Sequence, residues 1–174
     1  MIEKFAKGRV SIFIDASNVY YSQKRLKWRL DFGKLINFFE DQTDLCGIYY
    51  YTGRDKKSEK QTKFIKFLEK TGYIVRSKKI KFIKNNKTKN SGNGFFKGNL
   101  DVELTIDVLE TKENYDTLIL ISGDSDFEPL LKLMKRKYYK KCLVMATKHN
   151  ISIELIKCAK FINFNKIKND IRKV

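Results

Sequence analysis

The chain predicts an α/β fold: one doubly wound, mainly parallel sheet with helices on both faces. Three observations lead there. Short apolar, β-rich runs alternate with segments of helical period along nearly the whole sequence. Those runs suit strands covered on both faces, which is the pattern of a parallel sheet. Two of them end directly in aspartates. In open α/β sheets, ligands bind just beyond the carboxyl ends of the strands.

Taken in order, VSIFI (10–14) is the first strand, and a helical pattern follows over 17–28. Asp31 is placed to cap a helix over 32–41, and LCGIYYYT (45–52) is the second strand. A helix over 57–70 stops at Gly72, where a left-handed residue is cheap, and YIVRS (73–77) follows. The next segment, KKIKFIKNNKTKNSGNGFFKGN (78–99), breaks the alternation. It is basic and rich in Asn and Gly, with one alternating run, KIKFIK (79–84), so an inserted basic hairpin or long flexible arm is expected around 78–96. A helix over 100–112, the strand DTLILIS (116–122) and a helix over 127–137 come next. Pro129 falls in the first turn of that helix, where its missing N–H costs little. KCLVMA (141–146), a helix over 151–158 and a short last strand, KFINF (160–164), close the chain.

The 174 residues fit a single domain, 1–174, with no internal repeat or interdomain linker. Hydrophobic residues make up 42% of the chain and aromatics 13%, enough for a real core. The opening MIEKFAKGRVSIFIDASN is no signal peptide, and no uninterrupted apolar stretch has the ~20 residues of a membrane span. Cys46, Cys142 and Cys158 are odd in number and far apart. A reducing cytoplasm is therefore expected, without a disulfide framework or structural zinc. His149 is the single histidine, which excludes a ribonuclease working by paired histidines. The net charge of +17 favours a polyanionic partner, although the preponderance of Lys over Arg is also what an A/T-rich coding sequence produces.

The chemistry concentrates on aspartates. Asp15 follows the first strand directly, where it can cap the next helix or face a ligand. Ser122-Gly123-Asp124-Ser125-Asp126 occupies the same place after the strand LILI. One cap needs one side chain, and this turn carries two aspartates. Uncompensated charges ~4 Å apart repel by ~1–4 kcal/mol in a surface-like dielectric, which a hard cation such as Mg²⁺ converts into binding. On a helical wheel, Asp101 falls inside the apolar arc of Leu100, Val102, Leu104, Ile106, Val108 and Leu109. A carboxylate there is costly unless paired or coordinating a metal. Glu103, Asp107 and Glu110 fall in the remaining gap and read as a solvated face, with Asp107 at its edge.

FIDASNVY (13–20), KGNLDVELTIDVL (97–109) and LISGDSDFEPLLKLMKRK (120–137) resemble, in order and spacing, the three motifs of the NYN domain family. The similarity is greatest to its LabA-like branch, within the PIN-like nucleases. Ser152, Leu155 and Ala159 through FINF (161–164) resemble that branch's closing helix and strand. The resemblance implies a PIN-like, Rossmann-like sandwich, dependence on Mg²⁺ or Mn²⁺, and hydrolysis of RNA phosphodiesters. It makes Asp15, Asp101, Asp124 and Asp126 the catalytic metal ligands, with Asn18 in support and Asp107 a frequent further acidic position. Ala16 stands where the family commonly has Gly.

The expected reaction is in-line hydrolysis of RNA, single-stranded or structured, by a protein that does not engage membranes, with a homodimer as the expected assembly. Asn18 and Ser122 are candidates for holding a ligand carboxylate or a phosphate oxygen. Lys78, Lys79, Lys81, Lys84 and Lys97 are candidates for phosphate contacts. Tyr20, Phe95 and Phe96 are candidates for stacking on bases, against the alternative of ordinary core packing. Two other readings stay open: a non-catalytic RNA-binding or regulatory module, and a DNA or flap-type nuclease. A nucleotide-binding domain is disfavoured, since no Gly-rich phosphate loop follows the first strand.

Overall fold

A computed structural model describes residues 2–55, 57–84, 94–97 and 99–173, with the backbone alone for 81–84 and 94–97. The strands among the described residues are β1 (Arg9–Asp15), β2 (Asp44–Arg54), β3 (Ile74–Lys79), β4 (Lys81–Lys84), β5 (Gly94–Lys97), β6 (Thr117–Ile121), β7 (Lys141–Ala146) and β8 (Lys160–Asn163). Helices are α1 (Ala16–Arg25), α2 (Phe32–Gln42), α3 (Glu59–Lys70), α4 (Asp101–Glu110), α5 (Glu128–Arg136), α6 (Ile153–Cys158) and α7 (Lys168–Ile171).

Six strands form one sheet in the order β3-β2-β1-β6-β7-β8, every pairing parallel. From β1 the chain winds outward through β2 to β3, returns to the centre as β6, and winds the other way to β8. The order reverses between β1 and β6, where Ile14 lies opposite Ile121. Asp15 and Ser122 therefore leave the sheet side by side. That is the crevice in which doubly wound folds bind ligands.

Two apolar layers cover the sheet. One joins Ile12, Ile14 and Tyr50 to Val19, Leu35, Phe39 and Leu68. The other joins Phe13, Tyr51 and Leu118 to Leu104, Val108, Leu131 and Leu155. Successive β1 residues thus feed opposite layers, as the two-residue strand period requires. In the central β6 all five residues are buried, and the four after Thr117 are all apolar, so the run does not alternate.

Local signals place the helix starts. Asp31 accepts from the Lys34 N–H at 3.1 Å, Ser58 from Gln61 at 3.3 Å and Ser152 from Leu155 at 3.4 Å. Gly72 ends α3 at φ +102°, and Pro129 lies in the first turn of α5. Helix α1 ends at Arg25, three residues before the expected 28, because the following residues are bound by the C-terminal segment. Trp28 Nε1 donates to Asn165, Lys173 N–H to the Arg29 carbonyl, and Leu30 bridges to Arg172.

The basic insertion has a hairpin's pairing at its base, with β4 and β5 antiparallel. KIKFIK is divided: Lys79 ends β3, and β4 begins at Lys81. Residues 85–93 of the hairpin or arm expected around 78–96 lie outside the described residues. Among the described residues, no helix is long and apolar enough to cross a membrane.

Candidate metal centre

Two turns and one helix start assemble the site. Asp15 caps α1: Oδ1 accepts from the Ser17 N–H at 2.9 Å and the Asn18 N–H at 3.2 Å. The capping alternative is therefore realised, but it uses one oxygen. The other, Oδ2, accepts from the Ser122 hydroxyl at 3.0 Å. Ser122 also accepts the Asp124 N–H at 3.2 Å, and its side chain is 0% exposed. Of the two roles expected for it, this burial leaves that of holding a carboxylate and excludes direct phosphate contact.

The second turn is pressed against the 147–152 loop. Gly123 is required there, because a Cβ would lie 1.9 Å from the Asn150 carbonyl oxygen. Its own carbonyl accepts from Ser152. Asp124 Oδ1 then accepts from the Asp126 N–H at 3.1 Å and caps the short 3-10 turn Ser125–Phe127. One aspartate caps and the other does not, as the two-carboxylate argument required.

Asp101 opens α4, half-buried, and its carboxylate meets the other pair. Asp101, Asp124 and Asp126 each offer an oxygen within 4.8 Å of the others. Asn99, which sequence reasoning missed, clamps Asp101 from both sides: its Nδ2 donates to Oδ2 at 2.5 Å, and its Oδ1 accepts the Asp101 N–H at 3.0 Å. The readable signal was an Asn two residues before an Asp at a helix start, a common self-capping arrangement. Asp15 is not in the three-carboxylate group but adjoins it, lining one cavity of about 740 Å³ with Asn99, Asp101 and Asp124.

Electrostatics match this crowding. Burial raises the Asp101 carboxyl above its ordinary range; Asn99 offsets part of that, and the charges of Asp124 and Asp126 push it further up. Burial also raises Asp15, with a contribution from Asp101, while the Asn18 and Ser122 hydrogen bonds pull it down. The buried Tyr50 phenol, on the same cavity wall, is pushed up by burial and by Asp15, so it stays neutral. All-carboxylate oxygen donors, half-buried at Asp101 and Asp124 and exposed at Asp126, with no cationic side chain hydrogen-bonded to them among the described residues, suit a hard divalent cation.

The wheel misplaced one face of α4. The buried stripe is Leu100, Leu104 and Val108, whereas Val102 is 68% and Ile106 47% exposed. Counting every apolar residue pulled the arc toward those two. The acidic gap is not simply solvated either, because the basic edge strand β3 lies against it. Arg76 Nε donates to Asp107 at 2.8 Å, Tyr51 OH donates to the same oxygen at 2.8 Å, and Lys78 pairs with Glu103 at 2.6 Å. Asp107 thus belongs to a structural pair with Arg76 and Tyr51, outside the three-carboxylate group. Arg76 and Tyr51 gave no local signal, being 31 and 56 residues away.

Of the remaining candidates, Asn18 supplies its N–H to Asp15, and its side chain is outside the cavity lining. Lys78 is engaged by Glu103. Lys79 is exposed and directly precedes Ile80, which lines the cavity. The side chains of Lys81, Lys84, Phe95, Phe96 and Lys97 lie outside the described residues. Tyr20 is 56% exposed, which rules out core packing, and it lines the cavity.

Comparison with known proteins agrees with this architecture. The NYN domain family profile matches residues 9–165. The Low amplitude and bright protein LabA of Synechococcus elongatus is 35% identical over 173 residues, covering 97% of this chain and 90% of that protein. A crystal structure of a Vibrio parahaemolyticus protein of unknown function superposes with a TM-score of 0.76 at 25% identity, covering 97% of this chain and 98% of that one. With its motifs gathered at the sheet's switch point and its profile match spanning nearly the whole length, the chain belongs to the NYN domain family, within the PIN-like superfamily.

Proposed function

We propose that this protein is a ribonuclease dependent on Mg²⁺ or Mn²⁺. The observation that carries the reading is the group Asp101, Asp124 and Asp126, converging within 4.8 Å, with Asp101 and Asp124 lining one cavity together with Asp15. Like charges so close are unfavourable unless a cation is shared among them.

Asp101, Asp124 and Asp126 would hold the cation, with Asp15 adjoining. When bound, the ion supplies Lewis acidity toward phosphate and a water of lowered pKa. The chain's own residues set the geometry. Ser122 ties Asp15 to the Asp124 turn, Asn99 fixes the rotamer of Asp101, and Gly123 brings the turn against the 147–152 loop. Tyr50 presents a neutral phenol to the cavity. The exposed Lys79 and the chain's net charge of +17 favour a phosphate backbone approaching this end of the sheet.

The test is calorimetry with Mn²⁺ together with cleavage of labelled RNA and DNA of one sequence, with and without EDTA. Mn²⁺ binding that Asp101→Asn and Asp124→Asn each abolish, and EDTA-sensitive cleavage of RNA in preference to DNA, are expected. Binding without cleavage of either would overturn the enzymatic reading, and preferential DNA cleavage would overturn the substrate.

A further inference from the structure

The cavity that holds the carboxylates has a second, chemically different end. Tyr20 and Tyr21, adjacent on α1, both line it, as do Phe64 of α3 and Ile80. The two tyrosines are 56% and 60% exposed, unusual for neighbouring large aromatics on a ten-residue helix. Ala16, Val19 and Ser22 form the buried stripe of α1, so Tyr20 and Tyr21, between its last two positions, both face away from the core. Here both rings stand open, 5.5 Å apart at 71° to one another. Lys24 lies one turn on, its Nζ 4.5 Å from the Tyr20 centroid and 5.5 Å from that of Tyr21. It steadies both rings and puts a positive charge beside them.

The spacing relates this wall to the acidic end. Asp15 caps the helix that carries both tyrosines. At ~1.5 Å rise per residue, Tyr20 and Tyr21 lie roughly 7–9 Å along the axis from it. A nucleotide whose phosphate lies at the carboxylates therefore has its own base, or the next one, within reach of the rings. In a duplex that face is covered by neighbouring bases, and only an unpaired strand can offer it.

We propose that Tyr20 and Tyr21, held by Lys24, form a base-stacking subsite that makes the acidic centre select unpaired strands over duplex. The subsite rests on the ribonuclease reading for its substrate, but stacking itself needs no cation. It is therefore tested by binding in EDTA. Fluorescence anisotropy with a labelled single-stranded RNA and with the same sequence as a duplex would be measured for the full chain and for Tyr20→Ala, Tyr21→Ala and Tyr21→Phe.

Each alanine variant is expected to weaken single-strand binding roughly tenfold, with duplex binding unchanged and Tyr21→Phe close to wild type. An abasic strand should lose the difference between wild type and variant. Equal single-strand affinity for wild type and both alanine variants, or equal losses on single strand and duplex, overturns the subsite. The exposure of both side chains keeps the fold out of the comparison, and unchanged unfolding midpoints would verify this. Ring-dependent binding by a protein that never cuts RNA in Mn²⁺ sinks the ribonuclease reading and leaves the subsite standing. Cleavage by variants that bind like wild type does the reverse.

Discussion

The hydroxyl of Ser122 donates to the carboxylate of Asp15 at 3.0 Å, joining positions 107 residues apart in the chain. The same oxygen accepts the Asp124 N–H, so one buried side chain ties the end of the first strand to the acidic turn after β6. Ser122→Ala removes both bonds and leaves a half-buried N–H without its partner. It is expected to cost about 1–3 kcal/mol of stability. If Ser122 positions Asp15, cleavage should slow with little change in substrate affinity. Thermal unfolding and a KM-against-kcat separation check this, and a loss confined to KM would contradict it.

Asp101 should trade stability for metal binding. Its carboxyl is raised, first by burial and then by Asp124 and Asp126. The sign follows from linkage. A carboxyl raised on folding favours the folded state at low pH, and that contribution is lost as pH rises through the folded value. At neutral pH without cation, Asp101 is therefore a cost, moderated by its partial exposure to solvent. Asp101→Asn is expected to raise the unfolding midpoint in EDTA by about 2 °C. The gain should shrink as pH falls into the carboxylate range, and the stabilisation of wild type by Mn²⁺ should vanish in the variant. Scanning calorimetry over pH, with and without Mn²⁺, measures all three effects.

Asp107 is expected to behave as a structural residue. Its side chain is 13% exposed and accepts from both Tyr51 and Arg76. Asp107→Ala strands the Tyr51 hydroxyl and should cost about 1–3 kcal/mol, with Mn²⁺ affinity close to wild type. Titration calorimetry separates the roles: a tenfold loss of Mn²⁺ affinity in a folded variant would make Asp107 a ligand after all.

Gly123→Ala places a methyl group against the Asn150 carbonyl, 1.9 Å from its oxygen. Backbone must move to admit it. A loss on the order of 3 kcal/mol is expected, together with weaker Mn²⁺ binding, because the displaced turn carries Asp124 and Asp126. A variant with wild-type unfolding midpoint and wild-type Mn²⁺ affinity would show that the turn relaxes freely.

The architecture was legible because its signals are local. Strand runs, Asp31 as a cap, Gly72 as a stop and Pro129 in a first turn act within a few residues, and each lies where the sequence places it. Asp15, Asp124 and Asp126 were legible for the same reason, since strand ends can be read along the chain, whereas Asp101 was read from the helical period of α4. Where α1 stops was not, because the residues after it are held by Asn165, Arg172 and Lys173. Nor was the true face of α4, where the wheel weighs Val102 and Ile106 equally with Leu104 and cannot see the basic edge strand opposite Asp107.

The sequence by itself determined the parallel α/β order and the identity of the acidic residues, because hydrophobic period, caps and strand ends are encoded over short stretches. The tertiary structure decided which carboxylates meet. Asp101, Asp124 and Asp126 converge, Asp15 adjoins them through Ser122, and Asp107 turns away to Arg76. That choice depends on the register of β1 against β6 and on how α4 packs over the sheet with Asp107 against its edge strand β3, and these are set by contacts between distant parts of the chain.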